Sequence, residues 1–265
     1  MAMARRIVED LRELRWGQVV VELALLVAGI LIALAVNGWI EDRRDARVER
    51  EYLELLVRDL DRDVAVLQEV IEFETAQVTA AAQAYRAIRG GVAPEDREAV
   101  AKMLGQLTAR RTLRLSRATY SDLLSTGNLR LIRNGGLRDS IVRLYETSER
   151  LQSIRDRNNQ EFVDRLYVTY LLDHAWTAPR ATRNLPAISS SDQKFAARVA
   201  VPVDARLDLL WQMPADAPDW AVLAGRLWYR GLVSEGAIEQ SEKSAVEIAA
   251  VRQAIVDELA RRRWP

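Results

Sequence analysis

Residues 19–40 read VVVELALLVAGILIALAVNGWI, and this run decides how the rest of the chain is arranged. From Leu23 to Val36 no side chain is charged or strongly polar. A bilayer's hydrocarbon core takes ~20 helical residues at ~1.5 Å of rise each, so the run with its shoulders is long enough to cross. Trp16 and Trp39 flank it, at the depth where indole rings favour the headgroups. The expectation is a retained transmembrane helix over residues 17–40. Two rivals compete. A buried core helix would carry a polar stripe, and Leu23 to Val36 has none. A cleaved signal peptide would use the small residues of Ala33-Leu34-Ala35, but signal peptides start with a short basic region. Here Glu9, Asp10 and Glu13 accompany the arginines before the run.

Outside this segment the composition excludes more than it assigns. The chain has 265 residues, zero net charge and 29% charged residues, which suits a well-solvated domain and gives no basic excess for nucleic acid. With no cysteine, disulfides, thiol nucleophiles, iron–sulfur clusters and cysteine-bound zinc are excluded. His174 is the single histidine, so no multi-histidine metal site can form. Only Lys102, Lys194 and Lys243 are lysines, against 35 arginines, a bias attributed first to genomic base composition. No cofactor is expected.

Residues 1–16 form a short amphipathic lead with Arg5, Arg6, Arg12 and Arg15. Beyond the apolar run, Leu53, Leu56, Leu60, Val64, Leu67, Ile71, Val78, Ala82 and Tyr85 recur mostly at three or four residues, the stripe of a long amphipathic helix. It is expected to continue the membrane helix and to stop at Arg89-Gly90-Gly91. Pro94-Glu95-Asp96 opens another helix. Thr119 is expected to cap a third, with Asp122 at the capping-box position. Turns are expected at Ser125-Thr126-Gly127-Asn128 and Asn134-Gly135-Gly136. A long helix then runs from Leu137 to about Leu172. Residues 177–203, with Pro179, Pro186, Pro202 and three serines, make an irregular excursion. A short helix at 207–211 and a last one capped by Asp219 complete the chain. Its inward positions are Leu223, Leu227, Ile238, Ala245, Ile248, Ile255 and Leu259. The fold class is all-α: a membrane helix continuing into an elongated antiparallel bundle, with residues 41–265 as the soluble helical domain.

Several residues are candidates for more than scaffolding. Glu22 is the ionisable residue of the run and Asn37 a polar one; a carboxylate in hydrocarbon is costly unless protonated, paired or near water. Glu22 lies ~9 Å beyond Trp16 along a helix, which also permits a shallow interfacial position. Ala24, Ala28, Gly29 and Ala33 form two small-xxx-small pairs of the kind that let membrane helices pack closely. Arg110, Arg111, Arg114, Arg117, Arg130 and Arg133 lie in a stretch with a single acid, Asp122. They can bind anionic headgroups or a phosphorylated ligand, or be neutralised by residues 41–75, which hold twelve acids and six arginines. The 125–128 turn lacks the glycines and lysine of a phosphate loop. His174 beside Asp173 reads as a helix-terminal histidine, because adjacent helical residues point apart. Trp211, Trp220 and Trp228 are expected to fill core gaps.

The segments VELALLVAGILIALAVNGWIEDR (21–43), EYLELLVRDLDRD (51–63) and TYSDLLSTGNLRLIRN (119–134) together resemble an uncharacterised family of bacterial single-pass membrane proteins, a domain of unknown function. Glu22, Gly29 to Leu34, Asn37, Trp39 and Glu41 occupy its pattern positions, while Gly38 stands where many relatives carry a second asparagine. The resemblance implies a retained anchor in a bacterial inner membrane and carries no catalytic residues. Arginines within ~15 residues of the run tie, four on each side, so the positive-inside rule does not decide the orientation. A charged lead before a first hydrophobic segment favours an inside N-terminus and a periplasmic or extracytoplasmic domain. The function expected is non-enzymatic, by contact with lipid, another membrane protein or a second copy. The alternative is a tethered sensor for an anionic small molecule, bound near the arginine cluster.

Overall fold

The apolar run lies inside one uninterrupted helix, α1 (Trp16–Gly90), of 75 residues, ~112 Å long at ~1.5 Å per residue. The computed structural model describes residues 16–174, 208–262 and 264. The expected lead at residues 1–16 (apart from Trp16) and the excursion at 177–203 lie outside the described residues. Among those described there is no strand, and the chain is all-α.

α1 ends at Gly90, and Gly91 takes φ 81°, the left-handed conformation that glycine adopts without a Cβ clash. A 3-10 turn at Pro94–Asp96 leads into α2 (Arg97–Gln106). Non-helical chain then descends along α1 to α3 (Ala118–Ser125) and a second 3-10 turn at Asn128–Leu131. The N-cap of α3 is Arg117, not Thr119. The Thr119 hydroxyl donates instead to Asp59 Oδ2 on α1, at 2.6 Å, a buried tertiary bond that outcompetes capping. Asn134 caps α4 (Gly135–Asn158), accepting from the Leu137 N–H at 3.1 Å. The rod continues through a π-helical stretch, Asn159–Val168, into α5 (Thr169–Asp173). A short α6 (Asp208–Trp211) precedes α7 (Pro218–Arg261). Pro218 opens α7 at the position where a missing N–H costs nothing, and the N-cap is Ala217 rather than Asp219.

The four paths run up, down, up and down. α1 leads away from the apolar segment, residues 97–131 return along it, α4 and its continuation go out again, and α7 comes back. The pairings fix this order. Along α1 and α7, Glu49 meets Arg262 at 2.6 Å, Asp61 meets Arg252 at 2.5 Å, and Glu74 accepts from Ser234 at 2.6 Å.

The α1–α7 seam has a coiled-coil period. Thirteen buried positions of α1 alternate steps of three and four: Ala46, Glu49, Leu53, Leu56, Leu60, Asp63, Leu67, Val70, Glu74, Gln77, Ala81, Ala84 and Ile88, with Asp59 and Ala80 buried beside them. α7 keeps the same period, from Leu223, Leu227, Arg230 and Ser234 through Ser241, Ser244 and Ile248 to Ile255 and Glu258, with steps of seven after Ser234 and Ile248 where Ala237 and Val251 are half-buried. A seven-residue period keeps one seam facing a partner along a supercoil. Beyond Leu67 the stripe expected from Ile71, Val78, Ala82 and Tyr85 is displaced by one residue. Those four are half-buried or exposed, and Val70, Glu74, Ala81 and Ala84 lie inside.

Two apolar clusters form the core. One gathers Leu53 to Val70 with Leu123, Ile141, Leu144, Ile248 and Ile255; the other gathers Ala80 to Ile88 with Leu104, Leu107, Tyr167, Leu223 and Leu227. Each fully buried Leu or Ile contributes roughly 1.5–3 kcal/mol of transfer free energy. Between the clusters lies a polar layer of Glu74, Gln77, Arg155, Asn159, Arg230, Ser234 and Ser241, all buried.

This layer serves the non-helical path. Buried backbone carbonyls need donors, and residues 107–117 have no helix to supply them. Arg230 Nε donates to the Leu107 carbonyl and Nη2 to that of Ala109, each at 3.0 Å. Asn159 donates to the Arg111 carbonyl at 3.2 Å, and Asp63 accepts the Ser116 N–H at 2.7 Å.

Candidate functional site

Two surfaces bear on function: the apolar segment of α1 and the arginine-rich descending path. Between Val20 and Ile40 every side chain of α1 is exposed. The segment is long and apolar enough to cross a membrane, and none of it is buried. Trp16 opens the helix and Trp39 closes the apolar run, ~35 Å apart along the axis, close to the ~30 Å of a hydrocarbon core. Trp39 is exposed, with the Arg43 guanidinium 4.9 Å from its ring. Asn37 donates to Glu41 one turn on, at 3.1 Å. Glu22, Ala24, Ala28, Gly29 and Ala33 are all exposed, and a Cβ added at Gly29 meets nothing within 4 Å.

The arginine cluster is distributed along the bundle rather than gathered into one site. Arg110 pairs with Asp164, and Arg111 with Glu69 at 2.9 Å. Arg114 pairs with Asp156 at 3.0 Å, Arg117 with Glu149 at 2.9 Å, and Arg133 with Asp42 at 3.2 Å. Arg130 is exposed on the second 3-10 turn. Two of these acids belong to residues 41–75; the other three come from α4 and its π-helical continuation. Spacing in sequence cannot reveal that second source, because it depends on which helix lies beside the descending path. The pairs are largely exposed, so each contributes little to stability.

Near the segment end of the bundle, Glu49 is buried and receives both the Arg133 N–H at 2.8 Å and Arg262 at 2.6 Å. Farther along, Asp59 and Asp63 lie buried one turn apart. Burial raises the Asp63 carboxyl to about 6, against the lowering effect of the Ser116 N–H. The rings of Tyr120 and Tyr145 stack 4.3 Å apart, and burial, with the charges of the two aspartates, pushes the Tyr145 phenol up.

At the far end, His174 donates from Nδ1 to the Tyr170 carbonyl at 2.8 Å, and its Nε2 lies 3.4 Å from Asp219. Its acidic partner comes from α7, which no local pattern announces. Trp211 and Trp220 stack, half-buried, at 6.1 Å. Trp228 does not fill the core: it is 62% exposed, packs 5.7 Å from Tyr85 and borders an apolar groove of about 320 Å³ with Val78, Leu227 and Leu232. The stripe displacement puts Tyr85 and Val78 at the surface and so creates this groove.

No curated protein and no solved structure matches the chain. A family model does match, over residues 22–166, more than half of the sequence. It begins within the apolar run and takes in α1, the descending path and most of the α4 rod; the chain belongs to that family, DUF6090, a family of unknown function.

Proposed function

We propose that this chain is a single-pass bacterial inner-membrane protein whose helical domain acts, without catalysis, by contact with another envelope protein, lipid or a second copy. One observation carries the reading. α1 keeps its seam buried from Ala46 onward, yet leaves every residue from Val20 to Ile40 exposed. An exposed apolar surface of that length is costly in water and favourable in lipid. Because α1 is unbroken, the span and the bundle form one rod, so a partner that tilts or twists the helix in the bilayer acts directly on the seam. The N-terminus is assigned to the cytoplasm and the bundle to the extracytoplasmic side. The groove beside Trp228 is the contact surface that this reading favours.

The test is photo-crosslinking in intact membranes, with p-benzoylphenylalanine placed at Trp228 or, as a control on the same helix, at exposed Gln253. The reading expects a discrete adduct from position 228 and none from 253. Equal, diffuse labelling from both positions would contradict it.

A further inference from the structure

Arg155 is 4% exposed, and only one of its three nitrogens is used. Nη2 donates to the Ala237 carbonyl and to Ser241 Oγ, each at 2.8 Å. Among the described residues, neither Nε nor Nη1 has a hydrogen-bond partner. A guanidinium stays protonated in proteins, so this charge is retained although burial pushes its pKa down. The local charge count does not balance either. Arg155 and Arg230 both feel the buried Glu74, and Glu74 lies 3.8 Å from Arg230; the half-buried Asp156, which also acts on Arg155, is paired with Arg114. Two buried guanidiniums thus share one buried carboxylate, and an uncompensated buried charge costs several kcal/mol.

Arg155 lines a cleft of about 530 Å³ between α4, its π-helical continuation and α7. The π winding bears on its shape: Asn159 and Phe162 line it from that stretch, and π-helical insertions often occur at functional sites. Leu151, Ile154, Phe162, Tyr229, Leu232 and Val233 give it apolar walls. Glu239 and Glu247 line it as well, with Lys243, which pairs with Glu239 at 2.6 Å. These acids disfavour a second negative charge on whatever enters.

We propose that the cleft at Arg155 binds a monoanionic small molecule, a carboxylate attached to an apolar, ring-sized body, with the carboxylate on the free N–H groups of Arg155. This goes beyond the contact reading and does not depend on it: the cleft lies in the bundle, away from the apolar segment, and opens on another face of α7 from the groove at Trp228, with Leu232 as the residue common to both. It also differs in place from the arginine cluster at residues 110–133.

The experiment is calorimetric titration of the full chain in phosphatidylcholine nanodiscs, against empty discs, with 2-naphthoate and its uncharged counterpart 2-naphthamide. Two variants accompany the wild type. Arg155→Met removes the charge. Gly236→Leu narrows the cleft while keeping the Arg155 charge, since a Cβ at Gly236 meets nothing within 4 Å and this residue lines the cleft. The wild type is expected to bind naphthoate at least tenfold more tightly than naphthamide. Arg155→Met should lose that preference, and Gly236→Leu should weaken naphthoate binding at least tenfold. Melting curves establish which variants are folded, and either folded variant suffices. Absence of naphthoate binding to the wild type, equal affinity for the two probes, or unchanged naphthoate affinity in a folded variant would overturn the proposal.

Discussion

Arg230 faces Glu74 across the α1–α7 seam, its Nη1 3.8 Å from the carboxylate, with both side chains buried. The arginine is therefore not an ion-pair partner alone. It also holds the carbonyls of Leu107 and Ala109, joining the two helices to the non-helical stretch 107–117 of the returning path.

Arg230→Met should accordingly destabilise the bundle by about 3–5 kcal/mol, the range for removing one partner of a buried pair. Glu74→Gln should cost less, about 1–3 kcal/mol, because the amide oxygen still accepts from Ser234. Thermal melts followed by circular dichroism check both. Equal, small losses would show that the carbonyl contacts of Arg230 contribute nothing.

Asp63 makes stability depend on pH in a direction opposite to an ordinary paired carboxylate. Its pKa rises from 3.8 to about 6 on folding, so the native state binds this proton more tightly than the unfolded chain. The stabilising contribution is complete below about pH 4 and is lost as pH rises through 6. Above that, the buried charge costs up to ~3 kcal/mol. Asp63→Asn keeps an acceptor for the Ser116 N–H. It should be more stable than the wild type by about 1–3 kcal/mol at pH 7.5, with the difference fading toward pH 4. A variant no more stable than wild type at pH 7.5 would contradict this account.

Two glycines of α7 should respond in opposite ways. A Cβ at Gly231 would sit 3.3 Å from the methyl of Ala81, buried on the facing helix, whereas Gly236 looks into open space. Gly231→Leu should force the seam apart at a cost of about 1–3 kcal/mol. Gly236→Ala should gain about 1 kcal/mol from helix propensity. Denaturant midpoints measured side by side distinguish them, and a neutral Gly231→Leu would mean that the helices do not approach so closely.

Much of the architecture was legible because apolar spacing and turn residues agreed. Gly90-Gly91, Pro94, Gly127 and Asn134 each sit where a helix stops or starts. The coiled-coil seam was not legible, because Asp63, Glu74, Gln77, Arg230, Ser234 and Ser241 occupy core positions that a search for apolar residues passes over. Their partners lie far away in sequence: Arg230 meets the carbonyls of Leu107 and Ala109, Asp63 the Ser116 N–H, Glu74 the Ser234 hydroxyl and Ser241 the Arg155 guanidinium. The candidate site divides in the same way. The exposed run of residues 19–40 announces itself by composition. The partners of the arginine cluster, and the unpaired edge of Arg155, depend on which helices lie side by side.

The central claim is that α1 anchors the bundle in a membrane, and carbonate washing of native membranes tests it most directly. An apolar helix that crosses the bilayer is not released by high pH or salt, whereas a charge-held peripheral protein is. The full chain should remain in the pellet, and a chain beginning at Ala46 should appear in the supernatant. Recovery of the intact full-length chain in the supernatant after the wash would contradict the claim.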